Sequence, residues 1–183
     1  MRTRARSRFA WTGAIDPGRM GSDAGPPDSQ RIVELTLDAG SVVRWSAEIE
    51  HERKVAIYDL LERNRFAPVG DYHGPYGLNL KIEEGRVVFE IRAAADGSVL
   101  GKVNLPTSGL RRVIKDYFTV CDSYFEAIKH APPSRIEALD MGRRGLHDEG
   151  SEILRDQLAG KIQVDFDTAR RLFTLLCLLH VRG

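Results

Sequence analysis

Cysteine and net charge are both scarce in this sequence, and each shortage excludes a class of protein. Two cysteines, Cys121 and Cys177, occur among 183 residues, and both lie in apolar runs with helical spacing. That placement predicts two small buried residues in a reducing compartment, the cytoplasm, and it argues against a disulfide scaffold. The formal net charge of +1 gives no electrostatic support for binding to nucleic acid.

Long apolar runs and cofactor motifs are absent as well. The longest apolar run, LFTLLCLLHV near the C-terminus, is too short to span a membrane, so we expect no membrane association. The chain has no CxxC, HExxH, P-loop, GxGxxG or G-x-S-x-G motif. Its five histidines do not show the spacing of metal ligands. We therefore expect neither a metal nor a cofactor.

The first 29 residues differ in composition from the rest of the chain. They are rich in arginine and then in glycine, proline and aspartate, and they contain no periodic apolar pattern. Such a segment cannot bury enough surface to offset the entropy of ordering, which predicts a disordered N-terminal extension over residues 1–29. Met20 lies within it and is an alternative start of translation. Residues 30–183 are long enough for a single domain with a sizeable core.

Alternating apolar residues predict the strands of that domain. Four segments have this pattern, and they cover residues 31–38, 78–83, 86–92 and 98–105. Glu-Gly and Asp-Gly pairs between the last three segments are typical of tight hairpin turns. A short alternation over 161–166 predicts a fifth strand, whereas the stretch 67–77, rich in glycine and proline, predicts a loop. The pattern therefore predicts an antiparallel meander sheet of four to five strands.

Apolar residues at helical spacing predict about four helices, which we expect to pack on one face of the sheet. The helices cover residues 47–63, 109–130, 134–158 and a last segment that ends near residue 180. Ser134 and Glu137 have the spacing of a capping box at the start of the third helix. Leucines on nearly every side of the last helix predict that it is buried at the centre of the domain. The fold class is therefore α+β.

The stretch ALDMGRRGLHDEGSE, residues 138–152, places charge where the third helix should be apolar. Projection at 100° per residue puts Arg143 and His147 in the middle of the apolar stripe and Asp140 at its edge, while Arg144 points away. One interpretation is structural: a buried arginine paired with a carboxylate, and a hydrogen-bonded core histidine. The other is functional: a cleft in which the guanidinium binds a phosphate or carboxylate and the imidazole transfers protons.

Other parts of the chain add candidates. Arg53 lies in the middle of the apolar stripe of the first helix, and His73 lies in the loop GDYHGPYG, which is an ordinary connection or a functional loop. Glycines in GRRG predict a kink or break in the third helix, because each costs about 0.8–1.0 kcal/mol there. The candidate residues for binding an anion or another ligand are Arg143, His147, Arg53, Asp140, Arg144 and His73.

Several long segments suggest a family. Among them are RRVIKDYFTVCDSYFEAI, SRIEALDMGRRGLHDEGSE and GKIQVDFDTARRLFTLLCLLHVRG. Together the segments resemble an uncharacterised protein family of alphaproteobacteria, number two-six-two in the uncharacterised series, over roughly residues 30–183. The resemblance implies a bacterial cytosolic domain with no assigned activity and no accepted catalytic residues.

Two functions are consistent with these observations. The first is a small cytosolic binding or regulatory protein without enzymatic activity, acting as a partner of another protein. The alternative is a small enzyme or ligand-binding protein for an anionic metabolite, with its site at the inward Arg/His cluster. Closed packing around Arg143 and His147 would favour the first function, and a cleft that reaches both residues would favour the second.

Overall fold

The structure, a computed structural model, describes residues 29–38 and 47–180 of the chain. The predicted disordered extension lies outside the described residues except for Ser29, and so does the alternative start at Met20. The described part contains four helices and six strands, most of the strands being consecutive in the chain, so the α+β class is confirmed. In chain order they are β1 (Ile32–Asp38), α1 (Ala47–Glu62), β2 (Phe66–Pro68), β3 (Tyr76–Glu83), β4 (Arg86–Ala93), β5 (Val99–Pro106), α2 (Ser108–His130), α3 (Pro133–Leu158), β6 (Ile162–Val164) and α4 (Phe166–His180).

The main sheet has the strand order β1-β3-β4-β5. Strands β3, β4 and β5 pair antiparallel, as the hairpin signals predict. Gly85 and Gly97 adopt φ of +71° and +72° in the two connections, a left-handed conformation that glycine adopts without strain. The prediction of a purely antiparallel meander is wrong, because β1 pairs parallel with β3. Parallel neighbours need a long crossover, and the segment between β1 and β3, which contains α1, supplies it.

A second, two-stranded sheet joins β2 and β6. The predicted fifth strand thus exists over Ile162–Val164, but it pairs antiparallel with Phe66–Pro68 and does not extend the main sheet. The predicted loop 67–77 is correspondingly wrong at both ends, where β2 and β3 occupy it. Strands of three residues are too short for alternation to reveal their partners.

The core lies between the apolar face of the main sheet and the helices. Buried residues of β3, β4 and β5 pack in one cluster with leucines of α3 and α4. The last helix is central, as its composition predicts, because Leu172, Phe173, Leu175 and Leu176 are completely inaccessible to solvent. The other face of the sheet holds Glu90, which forms ion pairs with Arg92 and Lys102. Within the part of the chain that the structure describes, no helix combines the length and apolar character needed to cross a membrane.

The structure of helix α3 corrects two predictions. The helix does not break at GRRG, since it runs without interruption from Pro133 to Leu158. The capping box does not form either, because Pro132 occupies the N-cap position and no side chain caps the helix. Proline at the first helical position already has the required φ and lacks the N–H that a cap would satisfy.

Candidate functional site

Four arginines from two packed helices converge on one cavity. Helix α3 contributes Arg143 and Arg144, and helix α4 contributes Arg170 and Arg171. The cavity between them has a volume of about 490 Å³, and its lining is mostly polar. The other lining residues are Tyr117, His147, Asp167 and Thr174. We call this space the polar cavity.

Arg143 and Arg144 share one carboxylate. Nη2 of Arg143 donates to Oδ1 of Asp140 at 2.7 Å, and Nη2 of Arg144 lies 2.8 Å from Oδ2. The hydrogen bond from Arg143 and the charges of both guanidinium groups lower the pKa of Asp140, so the carboxylate stays ionised. Two positive charges therefore face one negative charge at this end of the polar cavity.

The Arg143 side chain is only partly enclosed, with 32% of its surface exposed. Its guanidinium carbon lies 5.4 Å from the centroid of the Tyr124 ring, within the range of a cation–π contact. Its Nε is buried and has no partner in hydrogen-bond geometry among the described residues, although the Tyr117 hydroxyl is close enough to interact with the guanidinium. Arg143 is thus a partly buried cation held over the Tyr124 ring, and the deeply buried charge that the structural interpretation assumed is not observed.

His147 is neutral at pH 7. Burial, and next the positive charge of Arg170, lower the pKa of its imidazole to about 4. Nε2 lies 3.0 Å from Oγ1 of Thr174, and Nδ1 accepts a long hydrogen bond of 3.5 Å from Nε of Arg170. These contacts assign the proton to Nε2. The imidazole therefore serves as a fixed hydrogen-bonding group, and it is not poised for proton transfer near neutral pH.

Arg170 and Arg171 differ in their partners. Nε of Arg170 lies 3.0 Å from Oδ1 of Asp148 and forms an ion pair with it, but the two atoms are not aligned for a hydrogen bond. Nη1 of Arg171 donates to the main-chain oxygen of Arg63 at 3.1 Å, and the described residues include no carboxylate in ion-pair contact with Arg171. Four guanidinium groups at this site thus face three carboxylates, those of Asp140, Asp148 and Asp167.

A second cavity of about 670 Å³ adjoins the first between α1, α2 and α4. It shares four lining residues with the polar cavity: Tyr117, Arg143, Arg171 and Thr174. Beyond them its lining is mainly apolar, and we call it the apolar cavity. Burial raises the pKa of Tyr117 to about 12 and raises that of Cys177 as well, so both groups remain protonated at neutral pH.

The structure brings some of the predicted site residues together and leaves others apart. Arg143, Arg144 and His147 line the polar cavity, and Asp140 pairs with both of its α3 arginines. Arg53 lines neither cavity and forms an ion pair with Glu50 one turn away on α1.

His73 is also apart from the cavities. It lies 3.7 Å from Asp71 in an exposed connection between β2 and β3.

Sequence reasoning missed the contributions of α2 and α4. Arg170 and Thr174 lie four residues apart, so they occupy one face of α4, and that face is turned toward His147. The segment DTARRLFT contains this spacing of polar residues, but the spacing indicates a shared site only once α3 and α4 are known to be neighbours. Among the described residues, no three His, Cys, Asp or Glu side chains are grouped so that they could hold a metal ion.

Comparison with known proteins places the chain among similar sequences without a described activity. A model of an uncharacterised protein family, UPF0262, matches residues 29–182. A UPF0262 protein of Paramagnetospirillum magneticum is 57% identical over 157 residues, which cover 86% of this chain and 99% of that protein. A relative from Sphingopyxis alaskensis is 54% identical over 88% of this chain and 99% of its own length. One from Rhizobium etli is 54% identical over 84% of this chain and 96% of its own length. No solved structure matches the chain.

Proposed function

The chain belongs to the uncharacterised protein family UPF0262, and we propose that it binds a small anionic ligand in the polar cavity. The observation that carries this proposal is the convergence of four guanidinium groups on one cavity. A guanidinium presents a planar fork of N–H donors that matches the oxygens of a phosphate or a carboxylate. An anion between the helices would also balance the positive charge that the three nearby carboxylates leave uncompensated.

Several contacts favour ligand binding over a purely structural network. The ion pairs at the cavity are only partly buried, and exposed pairs contribute little to folding stability, typically about 0–1 kcal/mol. Closed packing around Arg143 and His147 would have supported a structural role, whereas both residues line an open cavity. Of the two functions that the sequence suggests, the geometry therefore supports ligand binding better.

The chemistry of the site favours binding over acid–base catalysis. His147 is neutral because its pKa is about 4, and Tyr117 is protonated because its pKa is about 12. Neither group exchanges a proton readily near pH 7. The Tyr117 hydroxyl can instead donate a hydrogen bond to a bound oxyanion, while His147 accepts one from Arg170.

Thermal unfolding with added anions tests the proposal. Phosphate, pyrophosphate and citrate would be compared with sodium chloride at equal ionic strength, since screening by salt alone must be excluded. A ligand at 100 times its dissociation constant should stabilise the protein by about 2.7 kcal/mol. The variant Arg143→Lys keeps the charge but loses the fork of donors, so it should show a smaller shift.

Arg155→Lys is the matched control. Arg155 also pairs with a carboxylate three residues earlier, Glu152, and also lies over an aromatic ring, that of Phe166, but it lines neither cavity. The control should respond to anions as the unaltered protein does. Equal shifts in the unaltered protein, Arg143→Lys and Arg155→Lys, or no shift beyond that of sodium chloride, would overturn the proposal.

A further inference from the structure

The polar cavity adjoins the apolar cavity, and the two share four lining residues. We infer that the ligand is amphipathic: an oxyanion head binds at Arg143 and Arg171, and a hydrocarbon chain attached to it lies in the apolar cavity. This inference rests on the proposed function, because the head is the anion proposed there. It adds the class of molecule that the anion belongs to.

The shared residues determine where the head would lie. Arg143 from α3 and Arg171 from α4 line both cavities and so stand at their junction, and Thr174 of α4 lines both cavities as well. An oxyanion held by these two guanidinium groups would therefore lie at the border between the two cavities. A hydrocarbon chain attached to that head would extend from this border into the adjoining apolar cavity.

The lining beyond the junction fits a hydrocarbon. Side chains of α2 and α4 form the inner surface, and they include Phe118, Cys121, Cys177 and Leu178. Val55 of α1 and Phe125 of α2 border the cavity with 45% and 58% of their surface exposed. Large exposed apolar side chains grouped around a cavity are typical of a binding surface. The volume of about 670 Å³ lies within the usual range for ligand pockets, about 300–1,000 Å³.

The charges around the apolar cavity argue for a single anionic end. Apart from the arginines at the junction, the charged groups that line it include Asp59 and Asp122, and both are exposed. Their carboxylates would repel a second anionic group at the far end of a ligand. A molecule with one oxyanion and an uncharged hydrocarbon chain matches the lining of both adjoining cavities.

Calorimetric titration with molecules of increasing chain length tests the inference. The probes are inorganic phosphate and the n-butyl, n-hexyl and n-octyl phosphates, with the n-alkyl carboxylates of equal length in parallel, all below their micelle concentrations. Each methylene that becomes buried should raise affinity roughly threefold to fourfold, until the apolar cavity is filled. A rise with chain length in either series supports the inference.

Two exposed apolar residues of α2 provide a variant and its control. Phe125→Ser should reduce the gain in affinity with chain length and leave the binding of inorganic phosphate unchanged. Ile128→Ser, at a residue that is 51% exposed and lines neither cavity, should change neither property. Since both side chains are largely exposed, neither substitution removes part of the core.

The outcomes separate the two proposals. Binding of phosphate that depends on Arg143 but shows no dependence on chain length in either series overturns the amphipathic ligand and leaves the anion site intact. Chain-dependent binding that Arg143→Lys does not weaken overturns the anionic head, and the proposed function with it. Absence of binding by every probe overturns both.

Discussion

At the scale of single residues, Gly150 determines how closely α3 approaches α4. A Cβ atom added there would lie 2.1 Å from Cζ of Phe173, a ring that is completely buried and has little freedom to move. Gly145, on the same helix, has no atom within 4 Å of the corresponding position. Glycines that share one sequence segment therefore have different roles: one is needed for packing and the other is not.

This difference predicts opposite effects of alanine at the two positions. Gly150→Ala should destabilise the protein, because overpacking costs about 1–3 kcal/mol and exceeds the gain of roughly 1 kcal/mol in helix propensity. Gly145→Ala should stabilise it by up to about 1 kcal/mol, because only the propensity term applies. Urea unfolding of both variants measures the two free energies. Equal stabilisation by both substitutions would show that α3 and α4 are packed less closely than described.

His147 predicts a dependence of stability on pH. Its pKa in the folded state, about 4, lies below the ordinary value of 6.5, so between these values the unfolded chain binds more protons than the folded one. The free energy of unfolding should therefore fall as pH decreases from about 6.5 toward 4. His147→Gln removes the titrating group but retains an N–H donor for Thr174, and its stability should fall less steeply over this range. Identical slopes for the two proteins in urea unfolding from pH 6.5 to 4.5 would contradict the assigned environment.

The lining of the polar cavity shows how far the placement of single residues can be predicted from a sequence. Helical projection of one segment was sufficient to select Arg143 and His147, because both lie on the same helix as the apolar stripe that they interrupt. Arg170 and Arg171 belong to another helix more than twenty residues later. Their contribution depends on the packing of α3 against α4, which periodicity within one helix does not determine.

At the scale of elements, the pattern of apolar residues predicted the positions of strands and helices in the sequence better than it predicted which strands pair. Alternation fixes which face of a strand is buried, but it does not fix the partner strand or its direction. The parallel pairing of β1 with β3 depends on the chain between them, and the pairing of β2 with β6 joins segments nearly a hundred residues apart. Both arrangements are properties of tertiary packing.

Helix starts allow a direct comparison of a predicted cap with an observed one. Oδ1 of Asp165 accepts a hydrogen bond of 2.7 Å from the main-chain N–H of Thr168, as an N-cap residue does. Asp165→Ala should therefore cost about 1 kcal/mol of stability. Ser134 forms no such cap, so Ser134→Ala should change stability by less than about 0.5 kcal/mol. Chemical unfolding compares the two, and an equal loss in both would mean that the capping box exists.

At the scale of the whole molecule, α4 belongs both to the core and to the proposed site. Leu172 and Phe173 are buried in the core, whereas Arg170, Arg171 and Thr174 face the two cavities. The helix that positions the arginines is thus held by the most buried part of the domain. A site built on rigid elements holds its donors in place before a ligand arrives, which reduces the entropy that binding must overcome.

The location of a bound anion tests the account most directly. Tungstate is a tetrahedral oxyanion that scatters X-rays anomalously, so a crystal soaked in it reveals the anion by its own signal. We expect the strongest signal at the junction of the two cavities, within hydrogen-bond distance of the guanidinium groups of Arg143 and Arg171. A signal only at arginines outside the cavities, such as Arg155, or an empty junction at tungstate concentrations that raise the melting temperature, would contradict the account.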